Sequence, residues 1–185
     1  MKKLTHDEIS VNRSTLDTLD KVDKLLVYVI LNSIRSSYNV GAIFRTSDGA
    51  MIKKLFLCGY TPTPQKKEVL KTALGSQNSV DWEYVKDAKE IVLKLKSEGV
   101  KICALELTEN SFPYYEIKNN SFPLALIIGN EISGVQQELL DLCDFSIEIP
   151  QYGIKQSLNV AVAYGISIFD MRRIYDTSKK ISQHK

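Results

Sequence analysis

Three polar clusters in this chain follow apolar runs and carry side chains able to do chemistry. The first, NSIRSSYNVGAIFRTSDGA (residues 32–50), holds Arg35, Asn39 and Arg45. An arginine fork grips a phosphate or carboxylate through paired N–H donors, and an amide can orient it. The second, LALIIGNEISGV (124–135), sets Gly129, Glu131 and Gly134 in a GxExxG spacing. Glycines there allow the backbone to approach a ligand closely. The third, IEIPQYGIKQSLNVAVA (147–163), places Ser157 and Asn159 in the first turn of an apolar helix. A hydroxyl and an amide in that position either cap the helix or face a ligand at its mouth.

Other chemistries are disfavoured by composition. Only two histidines occur, His6 and His184, so a histidine triad or histidine-rich metal site is not expected. Cys58, Cys103 and Cys143 lie apart in apolar neighbourhoods, without a CxxC pair, and read as buried free thiols. No GxGxxG or Walker A loop is present, which argues against a dinucleotide fold or a P-loop. The net charge of +2 permits a nucleic-acid partner without requiring one. Arginine is scarce, five against nineteen lysines, so two within residues 35–45 stand out.

The elements that must position these clusters follow from periodicity. KLLVYVILNSI is continuously apolar, as a strand buried on both faces should be. A helix over VGAIFRTSDGAM and a strand over KKLFLCG come next, then a long loop with a helical piece and a short strand at SVDWEYV. DAKEIVLKLKSEG is amphipathic, with Asp87 as cap and Gly99 as stop. VKICALEL, FPLALIIG and FSIEIP read as strands, ISGVQQELLDLCD as a helix, and residues 157–175 as the last helix. This order predicts an α/β protein with a mostly parallel sheet flanked by helices. The expected layout is an N-terminal helical appendage at 1–22, a single domain at 23–176 and a flexible tail at 177–185. Thr5 and Glu8 have capping-box spacing, which predicts one polar helix to about residue 22. No secretory signal or membrane-length apolar run is visible, so a cytoplasmic location is expected.

Together, in this order and spacing, NVGAIFRTSDGA, IIGNEISGV and IPQYGIKQSLNVAVA resemble the three motifs of the SpoU (TrmH-like) branch of the SPOUT RNA methyltransferases. The likeness covers roughly residues 27–173, and KTALGSQNSVDWEYV is similar to that branch's linking segment. The resemblance implies a C-terminal trefoil knot, an exception to the no-knot rule, and a homodimer packed partly through the final helix. It implies S-adenosylmethionine bound at Leu105, Glu106, Gly129, Asn130, Ile149, Gln151 and Leu158, with no metal. The implied reaction is methyl transfer to a ribose 2′-hydroxyl of RNA, carried by Arg45, Asn39, Glu131, Ser157 and Asn159.

An arginine is an awkward general base because its guanidinium stays protonated. A bidentate clamp on an RNA phosphate is the favoured role for Arg45, with Asn39 holding it and the base unassigned. The ordinary structural readings are an Arg45–Asp48 ion pair, Glu131 as a first-turn carboxylate, and Ser157 as a helix cap. Arg35, Tyr38, Lys71 and Lys155 are candidate RNA contacts, with Lys66 and Lys67 nearby, against a reading as solvated surface. Transfer RNA is the favoured substrate and ribosomal RNA the alternative. Competing readings are a non-catalytic RNA-binding protein that keeps the fold, a flavodoxin-like nucleotide domain, and methylation of a base nitrogen.

Overall fold

The computed structural model describes residues 1–11 and 13–182. Seven strands form one sheet: β1 (Leu25–Asn32), β2 (Ile52–Cys58), β3 (Trp82–Val85), β4 (Lys101–Leu105), β5 (Phe112–Pro113), β6 (Leu124–Ile128) and β7 (Phe145–Glu148). Their order is β3-β2-β1-β6-β4-β7-β5, and every pairing in register is parallel. Among the described residues six α-helices accompany them: α1 (His6–Ser10), α2 (Ser37–Ala50), α3 (Lys67–Ala73), α4 (Ala88–Ser97), α5 (Gln137–Leu140) and α6 (Val160–Ser182).

The sheet is covered on both faces, which explains its unbroken apolar strands. Side chains alternate sides along a strand. Val27, Val29 and Leu31 of β1 pack with Val40, Ile43 and Phe44 of α2 and Tyr164 and Ile168 of α6. Ile30, between them, joins Ile91, Val92 and Leu95 of α4 on the other face. In β6 the same split puts Leu124, Leu126 and Ile128 on one side and Ala125 and Ile127 on the other. With two covered faces, the polar half of the usual alternation disappears. A buried hydrogen bond of 2.7 Å between Ser47 Oγ and Tyr164 Oη fixes α2 against α6. Burial pushes the thiols up, Cys58 to about 12 and Cys143 to about 11, far from nucleophilic. Among the described residues, no helix is long and apolar enough to cross a membrane.

Several local expectations change. The Thr5–Glu8 capping box forms, but it caps only the five residues of α1, and a separate 3₁₀ turn spans Leu16–Lys21. The helix α1 buries no residue that would extend it, and isolated helices this short need tertiary packing to propagate. The helix after the second cluster shrinks to the four residues of α5, because 129–134 fold back on themselves instead. The two-residue strand β5 was invisible to periodicity. The last helix starts at Val160, three residues later than expected, and runs through Ser182. Residues 177–182 therefore continue α6 rather than form a tail; Lys179 pairs with Asp23 ahead of β1. The remainder of the expected tail, with His184, lies outside the described residues.

Candidate functional site

Sheet order decides which turns meet. Because β6 lies between β1 and β4, the turn after β6 is flanked by the turn after β1 on one side and by the end of β4 on the other. Strand β7 follows next to β4, so the 149–159 segment closes the far wall. Ligands of parallel sheets bind beyond these carboxyl ends. A cleft of ≈ 730 Å³ opens there, within the size range of small-molecule sites.

The second cluster forms the floor as a tight loop. Asn130 and Gly134 pair through two backbone hydrogen bonds, 3.1 and 2.9 Å. Gly134 sits at φ +66°, a conformation that favours glycine. The buried amide of Asn130 is fully engaged. Its Oδ1 accepts from the N–H groups of Ile132 (2.9 Å) and Ser133 (3.1 Å), and its Nδ2 donates to Ser33 O (2.8 Å) and Tyr60 Oη (2.7 Å). Glu106, at the end of β4, accepts from the N–H groups of Leu107 (3.0 Å) and Val135 (2.9 Å). Both side chains thus hold the loop that shapes the cleft.

One polar chain joins all three clusters. Glu131 accepts from the N–H groups of Arg35 (2.8 Å) and Ser36 (3.1 Å) and from Asn39 Nδ2 (3.1 Å). Asn39 Oδ1 in turn accepts from Asn159 Nδ2 at 3.1 Å. The Asn159 carbonyl oxygen of the side chain caps α6, taking the N–H of Ala161 at 2.9 Å. Asn159, rather than Ser157, is therefore the cap: Ser157 stands three residues ahead of the helix, on the cleft wall. Glu131 is likewise not a first-turn carboxylate, since α5 begins six residues later.

Partial burial pushes the Glu131 carboxyl up, but the N–H groups of Arg35, Glu131 itself and Ser36 and the Asn39 amide outweigh it. The net result lies below its ordinary 4.5. With the folded value below the unfolded one, its stabilisation is complete above the unfolded value and is lost as pH falls through the folded one. Glu131→Gln would turn one acceptor into an NH₂ facing N–H donors. It is expected to lower stability by roughly 1–2 kcal/mol at neutral pH, toward the low end for charged bonds because the rim is solvated. Denaturant midpoints followed down in pH should show the gap to wild type closing below about pH 4. A gap that persists in acid would rule out the carboxylate charge as its source.

Leu105, Glu106, Gly129, Asn130, Ile149, Gln151 and Leu158 all line the cleft, together with Glu131, Ser157 and Asn159. Asn39 is tied to it through Glu131 and Asn159. Arg45 is not brought there. It sits in the third turn of α2, about 9 Å along the axis from Asn39. It is exposed, and among the described residues neither Asp48 nor any other group pairs with it; Asp48 accepts from Ser79 instead. Arg35 contributes its backbone N–H while its residue is exposed. Tyr38, Lys71 and Lys155 are exposed outside the cleft, Tyr38 on α2 and Lys71 on α3.

Sequence reasoning missed Ser33 and Tyr60, which anchor Asn130 from turns distant in the chain, and Glu148 on the cleft wall. Only Glu148 left a signal, as a charge closing an apolar strand. Among the described residues, no group of three or more histidine, cysteine, aspartate or glutamate side chains is arranged to hold a metal.

The profile of the SpoU rRNA Methylase family matches residues 26–169. The chain is 32% identical over 160 residues to the tRNA (guanosine(18)-2′-O)-methyltransferase of Aquifex aeolicus, covering 85% of this chain and 73% of that protein. It is 34% identical over 145 residues to the 23S rRNA (guanosine(2553)-2′-O)-methyltransferase RlmP of Bacillus subtilis, covering 78% and 57%. An AdoMet-bound rRNA methyltransferase from Sinorhizobium meliloti superposes with a TM-score of 0.76 at 31% identity, over 84% of this chain and 59% of that one. The chain thus spans less than two thirds of two of these three.

Proposed function

The chain belongs to the SpoU rRNA methylase family, and from that premise we propose that it transfers a methyl group from S-adenosylmethionine to a ribose 2′-hydroxyl of RNA. The observation that carries this reading is the chain Glu131–Asn39–Asn159, which locks all three clusters around a single cleft. Transfer RNA is the first substrate to test and ribosomal RNA the second, since named relatives act on each.

The cleft suits the cofactor chemically. Leu105, Ile128, Ile149 and Leu158 offer apolar surface for adenine, and the Gly129–Gly134 loop offers backbone close to a ligand. Carboxylates on the wall suit a molecule that carries positive charge. The cofactor supplies the activated methyl on a sulfonium leaving group; the protein aligns donor and acceptor and helps remove a proton. Ser157 and Asn159 border the place of transfer. Glu131 and Asn39 hold the turns around it.

Arg45 acts from outside its own cleft, as a phosphate clamp presented across a homodimer. The exposed face of α6 supports such packing: Val162 and Phe169, one seven-residue step apart, are each 51% exposed. In this reading the 129–135 turn and the 149–159 segment form part of a trefoil knot, and Arg35, Tyr38, Lys71 and Lys155 meet the RNA around the cleft.

The test is incubation with methyl-labelled S-adenosylmethionine and unmodified transfer or ribosomal RNA separately, followed by digestion to nucleosides. Label in a 2′-O-methylnucleoside is the expected result and identifies the RNA. Label on a base would overturn the ribose assignment. Cofactor binding with no transfer to either RNA would favour a non-catalytic RNA-binding protein.

A further inference from the structure

Glu148 closes β7 and stands next in register to Glu106 at the end of β4: Leu105 pairs with Ile147, and Glu106 N donates to Ile147 O at 3.0 Å. Both line the cleft, as does Glu131. A carboxylate has about four acceptor positions, and the three differ in how these are filled. Glu131 receives three donors from other residues and Glu106 two backbone N–H groups. Glu148 receives one, the Ser111 hydroxyl at 2.5 Å on Oε2. Its Oε1 has no donor among the described residues. None of the described residues lining the cleft is lysine, arginine or histidine. The counterweight is the N-terminus of α6, which carries about half a positive charge, and there Asn159 already takes an N–H. Glu148 is therefore the least engaged of the three and the one with an oxygen that no described donor reaches, half-buried beside apolar walls where a charge is poorly screened.

We propose that Glu148 makes the cleft selective for positive charge, so that it prefers S-adenosylmethionine to S-adenosylhomocysteine. The inference rests on the cofactor reading above. The two molecules share adenine, ribose, amine and carboxylate; they differ by the methyl and by one positive charge on sulfur. A carboxylate on the cleft wall lowers the free energy of the charged molecule more than that of the neutral one. The spent product is then held less firmly than the fresh donor. Ser111 is a positioning residue here, because its hydroxyl fixes the Glu148 rotamer from the loop between β4 and β5.

The test is calorimetric titration of the full chain with each molecule, for wild type, Glu148→Gln and Ser111→Ala. Glu148→Gln should weaken S-adenosylmethionine about tenfold and S-adenosylhomocysteine by less than about twofold, collapsing the preference. Ser111→Ala keeps the charge but frees it, so it should shift the preference in the same direction by a smaller factor. It also carries the test if the first variant does not fold. Equal weakening of both molecules would overturn the proposal, since Glu148 would then contact a group they share. So would the absence of any change. Wild type that binds neither molecule would instead bring down the methyl-transfer reading itself.

Discussion

Arg45→Ala is expected to slow methyl transfer roughly 10²–10³-fold, the loss typical of removing one positioned charge at a reacting centre. Affinity for S-adenosylmethionine should stay within about twofold, because groups without shared partners act independently. The split follows from where Arg45 sits. It projects from the third turn of α2, exposed, outside the cleft wall, and no described residue pairs with it. A guanidinium held for structure would have a carboxylate beside it, as Arg172 has Asp176 at 2.9 Å. Arg45→Lys should recover little, since an ammonium cannot reproduce the planar bidentate grip on a phosphate. Single-turnover transfer paired with equilibrium binding of the cofactor separates the two quantities. Turnover near wild type in the lysine variant would sink the clamp; a matching fall in cofactor affinity would place Arg45 at the cleft after all.

Gly129→Ala should have the largest effect on the fold of the site. A methyl at this position would lie 2.2 Å from the carbonyl carbon of Gly134, 2.3 Å from Val135 N and 2.4 Å from Gly134 O. All three are backbone atoms, so no rotamer change relieves the contact. The 129–135 loop would have to open, giving up the Asn130–Gly134 pair and pulling Val135 N from Glu106. Overpacking of this kind costs about 3 kcal/mol, which for a chain of this size lowers Tm by roughly 6–12 °C. Cofactor affinity should fall more than about tenfold with it, since misplacing a cleft wall by an ångström is costly. Gly153→Ala is the internal control. It lies on the segment after β7, nothing stands within 4 Å of the added methyl, and its change should stay within about 0.5 kcal/mol. Equal thermal shifts for the two variants would show that loop glycines matter generally, and not this contact.

The strands other than β5, the Asp87-capped helix α4 and the Thr5–Glu8 box were legible in the sequence, because each depends on residues close to one another in the chain. The choice between Ser157 and Asn159 as the cap of α6 was not. Both side chains can cap, and the decision fell to Asn39, which takes the Asn159 amide from 120 residues away and so fixes where the helix begins. The same holds for Glu131. Nothing near it in the chain says that its carboxylate will receive the N–H groups of Arg35 and Ser36.

What the sequence determined by itself was the inventory: apolar runs long enough for a two-faced parallel sheet, three polar turns at strand ends, and the motif order that marks the family. What only the tertiary structure decided was the assignment of side chains to tasks. Glu106 and Asn130 are spent on the loop, Glu148 keeps an oxygen that no described donor reaches, and Arg45 stands apart. The physical reason is the strand order. Placing β6 between β1 and β4 brings together turns far apart in the chain, and a polar side chain is committed or free according to which turn arrives beside it.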